Sequence, residues 1–227
     1  MNSAVVNFAV GGWYTAGQER LRQSLAVNGF TGAFYGWTSH EQIGCRPHHE
    51  VPYAFKPAAV LNAAKRGHEV VLWCDASVYA IKPIDGFVDQ AKSRGNLLFD
   101  SGWTCGQWSH DASLAKFGLT RDQAMAIPMV YALCMAFDVQ DHKTAEMLLE
   151  WSALSVDGTT FEGPWINDGS CSADPRCLGH RHDQTAISLL AHKYGFKLFD
   201  LNDRQLLFCP GPGRIEPPEA IVAAQGM

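Results

Sequence analysis

The stretch VVLWCDASVYAIKP, Val70 to Pro83, decides how this chain is read. Val70 to Trp73 are apolar without alternation, as expected of a strand covered on both faces in a parallel sheet. Asp75 stands where that run stops, followed by the small pair Ala76 and Ser77. Ligands of open α/β sheets bind beyond the carboxyl ends of the central strands, where a strand end holds a carboxylate rigidly without burying its charge. Read alone, the same Asp75 caps a turn with help from Ser77.

Upstream, KPAAVLNAAKRG (56–67) reads as a helix with Pro57 in its first turn and Gly67 as its stop. Residues 5–10 form a β-rich run closed by Gly11 and Gly12. Residues 17–28 place Leu21 and Leu25 on one helical face, and GAFYGW (32–37) reads as a second strand. The order β, α, β, α, β predicts an α/β nucleotide-binding layout.

Downstream, residues 96–99 read as a short strand, followed by the Trp-bearing loop DSGWTCGQWSHDAS (100–113). Thr120 suits the cap of a helix over 120–126, with Asp122 in its first turn. MVYALCMAFDV (129–139) reads as one strand and 141–155 as an amphipathic helix. DQTAISLLAHKYG (183–195) reads as a helix with Asp183 at its positive end. KLFDL (197–201) is a last strand, and the tail beyond Pro210 is rich in Pro and Ala.

With 227 residues, 47% hydrophobic and 18% charged, the chain can bury a substantial core, and one domain is expected. A net charge of −5 gives no overall reason to bind nucleic acid or anionic membrane. No stretch approaches the ~18 apolar residues of a membrane span, and the N-terminus lacks a secretion signal. Seven scattered cysteines fit a reducing compartment, so a cytoplasmic location is expected. The spacing of Cys171 and Cys177, with His180 and His182 nearby, is wider than structural zinc sites use. No GxGxxG follows the first strand, which disfavours a Rossmann dehydrogenase.

YAFKPAAVLNAAKRGHEVVLWCDASVYAIKPI, followed more than one hundred residues later by GHRHDQTAISLLAHKYGF, resembles small GT-A-type glycosyltransferases, of the nucleotide-diphospho-sugar transferase superfamily. There a Tyr/Phe-x-x-Lys-Pro helix precedes a strand ending in a DxD-like motif, and a late His-Arg-x-Asp-Gln segment opens a helix near the acceptor. The resemblance spans residues 5–200. It implies a GT-A-like (Rossmann-like) α/β fold with a mixed, mainly parallel central sheet flanked by helices. It also implies one domain over 1–227: a donor half (about 1–100), an acceptor half (about 101–209) and a tail (210–227).

The activity implied is transfer of a sugar from a nucleotide-diphosphate donor to a hydroxyl acceptor, a glycan or small molecule rather than nucleic acid. A divalent ion, manganese or magnesium, would be held by Asp75 and would neutralise the departing diphosphate. Here the motif is Asp75-Ala76-Ser77, so the second carboxylate is replaced by a hydroxyl. A metal-free alternative places the diphosphate charge on Lys56, Arg181 or helix N-terminal amides. Lys56, Asp75 and Ser77 are then donor-side residues, with Trp13 stacked on the base. Asp183 is the candidate general base, and Arg181, His182 and Gln184 face the acceptor. Two other readings stay open: a non-catalytic relic binding nucleotide or glycan, and a transferase acting on modified DNA bases.

Overall fold

The computed structural model describes residues 2–199, 207–208 and 220–224. The chain enters through the buried strand β1 (Ser3–Phe8) and returns along α1 (Gly12–Val27) to β2 (Ala33–Trp37). The short α2 (His40–Ile43) and then α3 (Phe55–Lys65) lead into β3 (Val70–Cys74). β4 (Val78–Ala80) and α4 (Asp85–Arg94) follow, then β5 (Asn96–Leu97) and β6 (Asp100–Thr104). Next come α5 (Asp111–Lys116), α6 (Arg121–Ala124), β7 (Pro128–Val130) and β8 (Cys134–Asp138). Two long helices, α7 (His142–Asp157) and α8 (His182–Lys193), precede the short β9 (Leu207–Phe208) and β10 (Val222–Ala224).

The main sheet has the order β2-β1-β3-β8-β5. β1 pairs in parallel with β2 and β3, while β8 runs antiparallel to both β3 and β5. The sheet is therefore mixed and mainly parallel, as the resemblance implies. Both faces of β3 are covered, which explains its unbroken apolar run: Val71 and Trp73 pack with α3, α7 and α8, whereas Val70, Leu72 and Cys74 pack with α1 and α4. Alternation along a strand then aims the next odd residue, Asp75, toward the side that carries α3 and α8.

A buried polar clamp aligns the strand ends. The Asn7 side-chain amide donates to the carbonyl of Cys74 at 2.6 Å, and Gln18 donates to Asn7 Oδ1 at 2.8 Å and to the carbonyl of Trp37 at 3.2 Å. A Cβ on Gly36 would lie 2.7 Å from the Gln18 amide, so a larger residue there would displace Gln18 from the clamp.

Several expected elements differ. α1 begins at Gly12 rather than at 17, because Gly11, at φ 91, turns the chain straight from strand to helix. The 129–139 run is split between β7 and β8, which belong to different sheets. At the break, Tyr131 N–H donates to the Phe99 carbonyl, and the carbonyls of Ala132 and Leu133 accept from Lys56 and from the Asp75 amide. These bonds satisfy backbone groups that a continuous strand would have paired elsewhere. The helix expected over 120–126 is one turn, closed by a capping box of Thr120 and Gln123. The stretch 100–113 read as a loop holds β6, paired with β7, and the start of α5. The sequence pattern also gives no sign of β4 or of α4: DGFVDQAKSR buries only Phe87, Val88 and Ala91, too thin a stripe to stand out. Of KLFDL, Phe199 forms a single bridge to Phe99, and Asp200 and Leu201 lie outside the described residues.

Candidate active site

A cleft of about 720 Å³ opens at the carboxyl ends of β1 and β3. Phe8, Val10, Trp13 and Tyr14 form one wall, His40, His48, Tyr53 and Phe55 another, and Trp73, Asp75, Ala76 and Ser77 the floor.

Asp75 is fixed from three directions. Its backbone amide donates to the Leu133 carbonyl at 2.8 Å, and its own carbonyl accepts from Val78 N–H at 2.9 Å to close a turn. Its Oδ1 accepts the indole N–H of Trp73 at 2.7 Å. Arg20 of α1 holds the turn from behind, donating to the Ser77 carbonyl at 2.7 Å while its guanidinium lies over the Tyr79 ring.

Lys56 lies buried beneath the floor, against Asp75, and does not itself line the cleft. Its ammonium lies 3.1 Å from Asp75 Oδ1 and 3.0 Å from Asp183 Oδ2, and donates to the Ala132 carbonyl at 2.9 Å. The Lys56 and Asp183 side chains are 4% and 5% exposed, whereas Asp75 keeps 27% and is the carboxylate presented to the cleft. Burial alone would lower the Lys56 pKa, but Asp183 and Asp75 outweigh it and hold the ammonium charged. One cation shared by two carboxylates leaves the group net negative. Burial pushes Asp183 up to about 6 against the pull of Lys56, so Asp183 is the member whose charge is costly. Its Oδ2 has the short contact to Lys56 but no aligned hydrogen bond.

Trp13 and Tyr14 line the cleft as expected of Trp13, which is 71% exposed. They belong to the first turn of α1, whose start carries no side-chain cap and no acidic residue. The amides of Gly12, Trp13 and Tyr14 have no acceptor among the described residues. Such a turn is electrostatically suited to an anion. Ser77 lies on the cleft floor beside Asp75.

The late segment divides. Asp183 lies buried beneath the floor, against Lys56, and half-buried Gln184 follows it on α8. Arg181 does not pair with Asp183: its guanidinium lies 3.6 Å from the centre of the Trp108 ring and 5.0 Å from that of Trp165, and it donates to the Trp165 carbonyl. His182 is buried, so the direct acceptor contact expected of it does not fit. Its Nδ1 lies 2.7 Å from the Phe161 carbonyl, and its ring packs against Trp165 and Tyr53. Burial lowers its pKa to about 4. Cys171, Cys177 and His180 also face main-chain carbonyls.

Two residues absent from the sequence-derived set touch this group. Trp73 lies two positions before Asp75 on the same strand face, a spacing readable in the sequence, whereas Tyr53, in the cleft wall, precedes α3 and places its ring 5.3 Å from the Lys56 ammonium without following helical spacing. Tyr53 and His182 are the only non-glycine residues with positive φ among those described, at 62° and 46°, and their rings meet. Strained backbone held at a cleft wall is characteristic of functional sites. Of the other tryptophans, Trp37 is core, and Tyr35 stacks on it.

The donor set does not fit the expected manganese or magnesium ion. Asp75 Oδ1 is committed to Trp73 and Lys56, Asp183 is turned to the same ammonium, and Ser77 adds only a hydroxyl. Among the described residues no group of three or more His, Cys, Asp or Glu side chains is placed to hold a metal ion. A hard cation would find one free carboxylate oxygen beside a fixed positive charge.

No family model matches the sequence, and no curated protein matches it. Solved structures do match in fold. Mouse xyloside xylosyltransferase 1 in its apo form superposes with a TM-score of 0.51 at 10% identity, over 94% of this chain and 89% of that one. A glycosyltransferase involved in glycosylation of the major capsid of PBCV-1 gives 0.53 at 12% identity, over 99% and 92%. The apo structure of the WbbM bifunctional glycosyltransferase gives 0.51 at 9% identity, over 97% of this chain but 45% of that longer one. The fold built around Asp75 and Lys56 is therefore the GT-A-like fold that the sequence resembles.

Proposed function

We propose that this protein transfers a sugar from a nucleoside-diphosphate donor to a hydroxyl acceptor. The observation that carries the proposal is the juxtaposition of Asp75, backed by Lys56, with the uncapped first turn of α1 across one cleft. Trp13 stacks on the base, the amides of Gly12, Trp13 and Tyr14 take the diphosphate, and Asp75 and Ser77 accept from or donate to donor hydroxyls. Fold likeness to glycosyltransferases supports sugar transfer in general. The chain acts as one domain, with the donor held by its first half and the acceptor approaching from its second. A cytoplasmic location is part of the same reading, supported by scattered free cysteines; among the described residues no helix is long and apolar enough to cross a membrane.

In the reaction, an acceptor oxygen forms a bond to the anomeric carbon while the bond to the diphosphate oxygen breaks and that oxygen keeps the electron pair. The acceptor proton passes to Asp183, whose raised pKa makes it a stronger base than an ordinary carboxylate. To reach it, the acceptor hydroxyl enters the contact between Asp183 and Lys56. No metal step belongs to this reading, because the donor set does not support one.

One observation favours binding without transfer: Asp183 is closed off by Lys56. Nucleoside-diphosphate release from UDP- and GDP-sugars in EDTA separates the two readings. Transfer predicts release that Asp183→Asn slows about 10²–10⁴-fold. Binding without release supports the relic, and no binding of any nucleotide sugar refutes both.

A further inference from the structure

We infer that the acceptor is a carbohydrate chain, seated on an aromatic ladder that runs from the cleft lip to Trp103; this rests on the transferase reading above. The rungs are in sequential contact. Tyr53, in the cleft wall, meets the Trp165 ring edge-on at 5.8 Å between centres. Arg181 lies between Trp165 and Trp108, and Trp108 meets Trp103 edge-on at 5.7 Å.

Three of the tryptophans remain largely exposed, and none lies elsewhere: Trp13 in the cleft, and Trp165 and Trp103, at 48% and 46%, on the ladder. Leaving indoles in water forgoes the burial that such large apolar groups ordinarily provide. Neighbouring rings are crossed at 82° and 85°, so they offer faces and edges in turn to the C–H surfaces of a carbohydrate.

Arg181 supplies the polar counterpart. Its guanidinium is held flat against Trp108, has one hydrogen bond to a carbonyl, and forms no ion pair with a carboxylate among the described residues. The remaining N–H groups are available to sugar hydroxyls. The ring of Tyr53, the first rung, lies 5.3 Å from the Lys56 ammonium, so a chain lying on the ladder would bring its terminal hydroxyl toward the Lys56–Asp183 contact. Continuity with the cleft selects an acceptor rather than an unrelated ligand.

The test is isothermal titration with hexasaccharides of glucose, xylose, N-acetylglucosamine and galacturonate, using wild type, Trp103→Ala and Trp165→Phe, in parallel with UDP and GDP. Circular dichroism checks that the variants fold. The proposal expects at least one hexasaccharide to bind and Trp103→Ala to weaken it at least tenfold, while Trp165→Phe retains more affinity because a ring remains. Binding indifferent to Trp103→Ala overturns the ladder, as does binding only to a single-stranded DNA oligonucleotide or a random peptide included as controls. Absence of hexasaccharide binding when UDP or GDP binds also overturns it. Absence of nucleotide binding instead counts against the transferase reading itself.

Discussion

The floor of the cleft and its aromatic rim are built on opposite principles. At the floor, Lys56 and Asp183 are withdrawn from water, Asp75 is part-exposed, and the three are joined through the Lys56 ammonium and tied to an indole and to a carbonyl, all carried by β3 and its end, α3, α8 and the β7–β8 turn. On the rim, large rings from the short edge strand β6 and from the 105–110 and 160–181 loops stay largely in water with few polar ties. The contrast teaches where each kind of function is placed. Chemistry requires a charge whose position is fixed to a fraction of an ångström, and helices and strands provide that. Recognition of an extended, flexible ligand needs exposed surface, which loops provide.

The comparison breaks most severely at Lys56. Lys56→Met leaves two facing carboxylates in the floor, and removal of one partner of a buried ionic group typically costs about 3–5 kcal/mol. Urea denaturation should show a loss of that order together with loss of sugar transfer. The same substitution style on the rim, at Trp103, should leave the melting curve within about 0.5 kcal/mol.

Next in size is Asp183→Asn, which keeps the shape of the floor. Transfer should fall about 10²–10⁴-fold, the usual contribution of a general base, with the fold retained. In wild type, transfer should rise with pH through about 6, as Asp183 loses its proton, and the residual rate of the variant should lack that limb. A pH profile unchanged by Asp183→Asn would remove the base from the account.

Buried His182 gives an acid-stability signature. Its folded pKa of about 4 lies below the ordinary 6.5, so the unfolded chain takes up the proton first. The stability it confers is present above about pH 6.5 and is lost as pH falls toward 4. Asp183 has the opposite sign: with a folded pKa of about 6 against 3.8, its contribution is present below about 3.8 and is lost as pH rises through 6. Burial also holds His180 well below its ordinary value and lowers His48, so thermal melts between pH 4 and 7 in an Asp183→Asn background should show the histidines together, and adding His182→Phe should reduce the slope without abolishing it. The smallest effect expected is at Trp13: Trp13→Ala should weaken nucleoside-diphosphate binding by about 1–3 kcal/mol, the usual value of base stacking on an aromatic ring.

The floor was far more legible in the sequence than the rim. VVLWCD announces a doubly covered strand and its terminal carboxylate, and KPAAVLNAAKRG a helix beginning at Lys56, because buried periodicity is written in residue types. What could not be read was which groups the fold joins: the Lys56–Asp183 contact spans 127 positions in the sequence, and nothing local encodes it. The break at Tyr131–Leu133 is hidden for the same reason, since its carbonyls are satisfied by Lys56 and Asp75 from distant segments. The expected metal came from the family pattern alone, and the committed oxygen of Asp75 became visible only with the Trp73 indole in place. On the rim, the tryptophans of residues 100–113 stood out by composition, but their alignment around Arg181 depends on loop packing that periodicity does not record.

Titration of UDP and GDP into wild type and Asp75→Ala in the presence of EDTA tests the central claim, a metal-free diphosphate site between α1 and Asp75, most directly. The account predicts one saturable site for at least one nucleotide in EDTA, weakened about 10–100-fold by Asp75→Ala through loss of the charge-assisted hydrogen bond that its carboxylate accepts from a ribose hydroxyl. Binding that appears only when manganese is added, or that is unchanged by Asp75→Ala, would contradict it.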